Sequence, residues 1–494
     1  MITVSDYRLR NVNTDGQECP SYGVRGRYFA RRLFVAFLIC GALAGCGGSP
    51  PAKANPQSTA KKAKLKAAKT AAVTSQSGSS QAEPAKIVPA EIPENAKIVQ
   101  KIHRPKDDRP KRDDLKLTER GFVKVTSDRL ILYSDLPVKE LEGLTDAVAQ
   151  LYSLMEAYFG PLPPPDGDNP IAYQMTGYLM ADAQRFRDAG ILTEGPAQPH
   201  EGWYLGNEFW WNQQATPYYT RHLMLHEATH CFMHVMPSVD CPPWYVEGMA
   251  ELFGTHLRDD KGKYIFGIMP DSSDRCPGWS RVSVLQDEIA AGKLPSVDEI
   301  LAYRFDDYAK LQPYAWSWAL CHFLNTHPRY QPRFRDLAKQ VMNGGFVSIF
   351  DKLFRPLKSD LRDEWLLFAS QIQYAHDIER SALDFQPGVE LAASGKPTAV
   401  TISADHGWQP TRVKLIAGKK YRVRATGRFT LATTTKPWIS EPQGISIRYF
   451  AGQPLGRLMS LIRPEPTADP ANRDILKLIP LGTDTTFVAS HSGT

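Results

Sequence analysis

Residues 221–236 run for sixteen positions without glycine or proline, in a mostly apolar segment that favours a helix. The segment contains the motif His226-Glu227-Ala228-Thr229-His230. Histidines at positions i and i+4 project from one face of a helix, close enough to bind one metal ion. Glu227 lies beside that face, where its carboxylate can accept a proton from water. The segment therefore predicts a helix that carries two metal ligands and a base.

A second helical pattern follows and contains a candidate third ligand. It starts at Pro242-Pro243 and reads Trp244-Tyr245-Val246-Glu247-Gly248-Met249-Ala250-Glu251. Glu247 follows His230 after sixteen intervening residues, which is enough for a turn and a helix that packs back on the first. Two histidines and one glutamate leave a fourth position open on zinc, as catalytic zinc sites do. We therefore predict a zinc ion bound by His226, His230 and Glu247.

The two patterns together resemble the gluzincin metallopeptidases. The match consists of HEATH at 226–230 and WYVEGMAELFG at 244–254, and the W-x-x-E-G-x-A-E form is most similar to the peptidase MA-like branch, which includes bacterial surface proteins. The resemblance implies the same three zinc ligands, with Glu227 as the general base. It also implies that Glu251, one turn after Glu247, accepts a hydrogen bond that orients a zinc-bound histidine.

A further segment matches the family more loosely. Gln312-Pro313-Tyr314 opens a helical pattern where relatives carry a hydrogen-bond donor for the oxyanion of the tetrahedral intermediate. The resemblance therefore gives this role to Tyr314, with His322 as an alternative donor. In the relatives' Y-x-x-G-x-x-F pattern, the glycine and phenylalanine places are occupied here by Ser317 and Leu320, so the match is partial.

Strand and helix patterns around the motif predict an α+β fold. Residues 123–159 read as two short strands and a long amphipathic helix, and a further apolar strand is expected near 178–180. The aromatic segment 202–212 predicts strand just before the motif helix. In gluzincins an edge strand at this place binds extended substrate, although an aromatic core strand fits the pattern equally. The resemblance implies a mixed-sheet lobe followed by a helical lobe at 282–383, and we place both within 118–384.

Other ligand sets remain open on the sequence alone. His234, one turn after His230, would complete a three-histidine site on a single helix. Metzincins place their third histidine six residues after the second, a position occupied here by Met236, so that family is excluded. The histidines would also be compatible with a core helix that binds no metal.

The first 120 residues differ from the rest in charge. They contain 22 Lys and Arg against 11 Asp and Glu, so the total of +6 leaves residues 121–494 with a net charge of −5. A nucleic-acid-binding fold therefore has no support. Arg25, Arg27, Arg31 and Arg32 lie just before the apolar run 33–44, which is too short to span a bilayer and is typical of a secretory signal. The ending Leu43-Ala44-Gly45-Cys46 resembles a bacterial lipobox, which implies a lipoprotein signal peptide at 1–46, a lipid on Cys46 and export to the cell envelope. An ordinary signal peptide is the alternative.

Residues 47–117 form a segment rich in Ala, Lys, Pro, Ser and Gln without any aromatic residue. Such a segment cannot bury enough apolar area to offset its ordering entropy, so we predict a disordered linker between the lipid anchor and the folded part. Contact of its lysines with anionic lipid or cell wall is compatible with this role. No run of 18 or more apolar residues occurs, which excludes a polytopic membrane protein.

Four cysteines remain after Cys46 and lie in the region predicted to fold: Cys231, Cys241, Cys276 and Cys321. In an exported chain they would be able to form two disulfides, in three alternative pairings. A bridge from Cys231 to Cys241 is the first pairing to test, because it would close the loop after the motif helix.

Residues 385–494 change character again. Short alternating patterns near 400–403, 412–416, 420–425 and 444–450, separated by Gly and Pro turns, predict a small antiparallel β-sandwich. The segment resembles jelly-roll domains related to a bacterial galactose-binding lectin, which implies carbohydrate contact. Those lectins bind calcium and sugar through their last loops and strands, which the match does not reach. We therefore expect a spacer or a truncated module and assign no sugar-binding residues.

These patterns together predict an exported, lipid-anchored zinc metallopeptidase. It would hydrolyse a peptide or protein substrate, with Glu227 assisting the attack of a water activated by zinc. The G-x-M-E-N motif of the family's aminopeptidases is absent from the sequence, which favours an endo-acting or substrate-restricted enzyme. Two alternatives differ in class: a catalytically inactive zinc-binding surface protein that adheres through its C-terminal sandwich to glycan or protein, and a zinc-dependent scaffold.

Overall fold

The computed structural model describes residues 2–3, 107, 109–164, 173–192, 201–236, 241–341, 345–391, 397–433, 436–465 and 472–494. All of them belong to one compact unit. Helices and strands both contribute, so the fold is α+β, as predicted. Cys46, with nearly all of the predicted signal peptide and linker, lies outside the described residues.

The regular elements are numbered in chain order. The α-helices are α1 (Asp114–Glu119), α2 (Leu144–Phe159), α3 (Ala183–Asp188), α4 (Pro217–His234), α5 (Pro243–Gly254), α6 (Arg281–Ala290), α7 (Val297–Leu301), α8 (Leu311–Thr326), α9 (Gln331–Gln340), α10 (Phe346–Phe354), α11 (Lys358–Ala369) and α12 (Ile378–Ser381). The strands are β1 (Ile2–Thr3), β2 (Val123–Thr126), β3 (Leu130–Ser134), β4 (Met175–Met180), β5 (Gly202–Leu205), β6 (Glu208–Asn212), β7 (His256–Arg258), β8 (Tyr264–Phe266), β9 (Val389–Glu390), β10 (Val413–Lys414), β11 (Lys420–Arg424), β12 (Phe429–Ala432), β13 (Trp438–Ser440), β14 (Gln443–Phe450), β15 (Gln453–Arg457), β16 (Met459–Ser460), β17 (Ile479–Pro480) and β18 (Asp484–Val488).

A five-stranded sheet precedes α4 in the order β2-β3-β4-β6-β5. The three central strands are parallel, whereas β2 and β5 run antiparallel to their neighbours, so the sheet is mixed. One face of the sheet, with Phe209 and Trp211, joins the main core around α2 and α4. The other face, with Tyr178 and Trp210, is covered by Phe186 of α3. At one edge of the sheet, β5 contacts the motif helix α4.

The predicted motif helix is confirmed as α4, which starts four residues earlier than expected. Pro217 lies in its first turn, and the Thr216 side chain caps it by accepting a hydrogen bond from the Tyr219 N–H. The helix after the proline pair is confirmed as α5. The helix expected at Gln312 is confirmed as α8, and α6 to α12 occupy the region predicted to be helical.

Helices α5 and α8 cross in close contact at Gly248. A Cβ atom there would lie 2.5 Å from Cys321 Sγ and 2.7 Å from the Ser317 carbonyl oxygen, distances too short for any side chain. The glycine that follows Glu247 in the motif therefore lets the α8 backbone approach α5. Ser317, which occupies the glycine place of the related pattern, is the small residue on the α8 side of this crossing.

Residues 109–117, which were predicted to belong to the linker, include side chains that contact the sheet. Arg112 donates hydrogen bonds to the Tyr178 hydroxyl at 2.8 Å and to Glu208 Oε1 at 3.0 Å. Arg109 donates to the Thr176 hydroxyl at 3.0 Å. The folded part of the chain therefore starts before residue 118.

After residue 385 the strands pair mainly two by two. The pairs β11–β18, β12–β13 and β14–β15 are antiparallel, and β9–β10 is parallel. Residues 400–403, expected as a strand, have no regular secondary structure, so that expectation was wrong. The physical reason is local: the Gln409 side chain accepts from the Ser403 N–H and donates to the Ser403 carbonyl, which replaces the bonds of a neighbouring strand.

The Cys231–Cys241 bridge, which was the first pairing to test, does not form. Cys231 carries a free thiol, and its Sγ lies 3.7 Å from the Glu208 carbonyl oxygen, to which it donates a weak hydrogen bond. Cys276 and Cys321 are free thiols as well.

Among the described residues, no helix combines the length and the apolar character needed to cross a membrane.

Candidate metal centre

Helices α4 and α5 bring the three predicted ligands to one point. His226 Nε2 and His230 Nε2 lie 3.0 Å apart. Glu247 Oε2 lies 3.4 Å from the first nitrogen and 3.3 Å from the second. Each of these side chains is only 1% exposed. The cluster is therefore a buried group that could bind a metal ion.

The separations fit a tetrahedral site of zinc dimensions. Ligand atoms about 2.0–2.1 Å from zinc lie roughly 3.3 Å from one another at the corners of a tetrahedron. Glu247 Oε2 has no well-aligned hydrogen bond within the described part of the chain. A buried carboxylate needs positive charge beside it, which either a protonated His226 or a bound cation would supply. The residues present therefore fit a small divalent cation.

Burial and close charges set the protonation of the cluster. Burial raises the pKa of Glu247, but the neighbouring His230 and His226 outweigh it and lower that pKa to about 2. Burial lowers the pKa of His226, but hydrogen bonds to Glu247 and Glu251 raise it to about 10. His226 thus holds a proton beside two carboxylates. Metal binding to an imidazole displaces such a proton, so a cation and this proton compete for one place.

Glu227 lies against the edge strand β5. A Cβ atom on Gly202 would be 2.8 Å from Glu227 Oε1, so the carboxylate packs directly on the strand's backbone. Tyr204, two residues further along the same face of the strand, stacks on His230 with ring centroids 4.9 Å apart. Edge strand β5 therefore covers both the candidate base and one candidate ligand. The aromatic core strand of the alternative interpretation corresponds to β6, which is buried from Glu208 to Trp211.

Glu251 lies on the far side of the candidate ligand His226 from Glu247. Its Oε1 is 3.4 Å from His226 Nδ1, the ring nitrogen opposite the one that faces Glu247. Arg281 at the start of α6 donates to both oxygens of Glu251, and His222 Nε2 lies 3.4 Å from Oε2. Burial raises the pKa of Glu251, but the Arg281 guanidinium outweighs it and holds that pKa well below its usual range.

Arg281 and His222 were not among the residues predicted from the sequence. His222 precedes His226 by four residues, so helical periodicity could have placed it on the same face. Room for its ring depends on Gly254, where a Cβ atom would lie 2.9 Å from His222 Cε1. Arg281 follows Glu251 by thirty residues and comes from another helix, so the sequence held no signal for this pair.

His222, His226 and Glu251 form a second buried group within reach of one cation. Arg281 already binds both oxygens of Glu251, at 2.7 and 3.0 Å. A second cation there would lie close to the guanidinium charge, which is unfavourable in a buried environment. The positive charge beside Glu251 in this second group is therefore supplied by Arg281.

Tyr314 reaches the centre from α8. Its ring centroid lies 6.2 Å from that of His226. Burial, with the charges of Glu247 and Glu227 nearby, raises the pKa of Tyr314 well above its usual range. The hydroxyl therefore keeps its proton at neutral pH, as a hydrogen-bond donor must.

The two alternative histidines lie elsewhere. His322 stacks on Trp318 with ring centroids 5.6 Å apart, and its ring interacts with the backbone of Gly267. His234 is exposed at the end of α4, where it packs edge-on against Tyr204. Neither belongs to the groups that could hold a metal among the described residues.

Chemically, the arrangement can bind a cation through two imidazoles and one carboxylate, with a second carboxylate and a phenol close by. The chain matches no protein-family model and no curated protein. The functional inference therefore depends on these residues and their geometry.

Proposed function

We propose that this protein is a zinc-dependent peptide hydrolase of the gluzincin type. The observation that most directly supports this proposal is that His226 Nε2, His230 Nε2 and Glu247 Oε2 lie within 3.0–3.4 Å of one another. Glu227 lies on the same helix as both histidines. These three side chains would hold the ion. When bound, zinc supplies Lewis-acid chemistry, which polarises a carbonyl oxygen and makes water more acidic.

Glu227 is the proposed general base. It accepts the proton of the attacking water and then delivers it to the leaving amine. Burial raises its pKa to about 8 in the metal-free protein, and the nearby Glu247 and Glu251 act in the same direction against His226. A cation close by favours the ionised carboxylate, so the loaded site would keep Glu227 ready to accept a proton at neutral pH.

Tyr314 is the proposed donor to the carbonyl oxygen of the substrate. The tetrahedral intermediate places negative charge on that oxygen, and a fixed donor in a buried site stabilises it. The support is the position of the Tyr314 ring beside His226 and its raised pKa.

A peptide or protein substrate is proposed because β5 offers an edge. Among the described strands, β5 pairs only with β6, which leaves main-chain groups on its outer side for an extended peptide. Gly202 places this edge directly against Glu227. A peptide added as a further strand would therefore run past the candidate base.

The same proposal includes the wider architecture. The mixed sheet before α4 and the helices after it support a gluzincin-type pair of lobes. The antiparallel pairs after residue 385 support a β-sandwich, for which carbohydrate contact remains a prediction. Export and a lipid on Cys46 remain predictions from the sequence, and mass spectrometry of the mature chain tests them: an unmodified Cys46 would contradict the anchor.

One observation favours a second candidate, a zinc-binding protein without turnover. The side chains of His226, Glu227, His230 and Glu247 are all 1–2% exposed, so a substrate has little access to them in this conformation. Both candidate functions predict bound zinc. They differ in whether the loaded protein hydrolyses peptides.

The decisive experiment compares the purified wild-type chain with two variants. We expect one zinc per chain in the wild type and in Glu227→Gln, and none in His226→Ala. Hydrolysis of a fluorescent protein substrate should fall by about 10²- to 10⁴-fold in Glu227→Gln, since only the base is removed. Equal hydrolysis by wild type and Glu227→Gln would contradict the mechanism. A zinc-loaded wild type that cleaves no member of a broad peptide library would favour the second candidate.

A further inference from the structure

Arg281 is a fully buried arginine with a carboxylate as its partner. Its Nη2 donates to Glu251 Oε1 at 2.7 Å and its Nε donates to Oε2 at 3.0 Å. Both side chains are completely shielded from solvent. Two parallel N–H···O bonds between planar groups fix the plane of the carboxylate as well as its position.

The fixed carboxylate faces the back of a candidate metal ligand. Glu251 Oε1 lies 3.4 Å from His226 Nδ1, while Nε2 of the same ring points to Glu247 and His230. An acceptor at Nδ1 favours the tautomer that has its proton there and its lone pair on Nε2, the form that binds a cation. The position of Glu251 therefore determines how His226 presents its ligand atom.

The same arginine joins the elements that carry the site. Arg281 starts α6, and Glu251 belongs to α5. The guanidinium also interacts electrostatically with the side chain of Tyr219 on α4. The Tyr219 hydroxyl in turn donates to Glu201 Oε2 at 3.4 Å, and Glu201 directly precedes β5. A guanidinium has several N–H donors at fixed angles, so it is suited to hold these elements at fixed positions relative to one another.

We propose that Arg281 is a positioning residue for metal binding, which orients His226 by clamping the carboxylate of Glu251. The proposal rests on the metal centre of the proposed function. A lysine would supply the positive charge but not the two parallel donors, so the planar fork should matter in addition to the charge.

The test measures zinc affinity of the full chain by competition with a chromophoric chelator. We expect Arg281→Met to bind zinc 10- to 100-fold more weakly than the wild type, which is the usual effect of removing a partner behind a ligand. Arg281→Lys should lie between the two. Substitution of cobalt for zinc gives a second readout, because a reoriented His226 should shift the visible absorption bands of the variant.

A matched control removes another arginine–carboxylate cluster. Arg463 donates to Asp363 at 2.8 Å and to Asp360 at 2.6 Å, and both carboxylates belong to α11. Arg463→Met should therefore keep the wild-type zinc affinity and cobalt spectrum even where it lowers thermal stability. This control separates a loss of positioning from a general loss of stability.

The double variant Arg281→Met/Glu251→Gln covers the case in which Arg281→Met does not fold, because it leaves no buried charge without its partner. It should show the same weakened zinc binding and altered cobalt spectrum. Wild-type affinity and spectrum in both Arg281→Lys and the double variant would overturn the role of Arg281. Absence of zinc from the wild type would instead overturn the proposed function itself, so the two failures are distinguishable.

Discussion

The helices around the candidate metal centre and the strands after residue 385 place their charged pairs in opposite environments. Arg281 and Glu251 pair at 2.7 Å with both side chains fully buried. Arg422 and Asp484 pair at 2.5 Å between β11 and β18, with 56% and 42% of their side chains exposed. The distances are alike, so the environment decides what each pair contributes. When one residue of the pair is removed, a buried charge has no water to replace the lost contact, whereas an exposed charge is hydrated by the surrounding water.

The largest expected effect is the loss of the buried partner. Glu251→Ala leaves the Arg281 guanidinium buried without its main counter-charge, so the free energy of unfolding should fall by about 3–5 kcal/mol. Urea unfolding in the presence of a chelator measures this without any contribution from bound metal. The double variant Glu251→Met/Arg281→Met should recover most of the loss, because it removes both charges together. A loss below about 1 kcal/mol in the single variant would make the buried pair equivalent to the surface pair.

Buried histidines should make the stability of the helical region depend on pH. Burial lowers the pKa of His322 to about 4, below the value of about 6.5 expected in the unfolded chain. Between these two pKa values the unfolded chain binds a proton that the folded chain does not. The contribution of neutral His322 to the free energy of unfolding is therefore complete above pH 6.5 and falls as the pH drops towards 4. Because one pKa unit corresponds to about 1.4 kcal/mol, the free energy of unfolding should be about 3 kcal/mol lower at pH 4 than at neutral pH.

The measurement for His322 is the free energy of unfolding at several values between pH 4 and pH 7. His322→Gln should show a shallower pH dependence than the wild type, whatever its stability at pH 7. Identical slopes in the two proteins would show that the proton uptake of unfolding comes from other groups.

A smaller effect is expected from the crossing of α5 and α8. Gly248→Ala puts a Cβ atom 2.5 Å from Cys321 Sγ and 2.7 Å from the Ser317 carbonyl oxygen, and overpacking of this kind is worth about 1–3 kcal/mol. Thermal unfolding measures the loss. Adding Cys321→Ala should recover only part of it, since the carbonyl contact persists. Full stability in Gly248→Ala would show that the two helices are not held at this distance.

The smallest effect should come from the exposed pair. Arg422→Ala should leave the free energy of unfolding almost unchanged, because both groups stay hydrated in the folded protein. The difference should shrink further in 1 M salt, where surface charges are screened. A loss of stability as large as that of Glu251→Ala, and independent of salt, would mean that this surface pair contributes like the buried pair of Arg281 and Glu251.

Local periodicity explains what could be predicted about the site. His226 and His230 lie one turn apart on one helix, so their common face follows from helix geometry alone. The strands near the motif also followed from alternation and aromatic content, and β4 and β5 formed where they were expected. Residues 400–403 show the limit of prediction from alternation. Their pattern predicted hydrogen bonds to a neighbouring strand, but the backbone of Ser403 bonds to the Gln409 side chain instead.

The amino-acid sequence alone determined which residues are able to bind a cation and that two of them share a helix face, because these properties depend on side-chain chemistry and on neighbours within one turn. Only the tertiary structure decided that Glu247 meets both imidazoles, that Gly202 lies against Glu227, and that Arg281 holds Glu251. Those contacts join residues from separate elements, and their distances depend on how the helices and the sheet pack. Packing is a property of the whole core, which no local pattern contains.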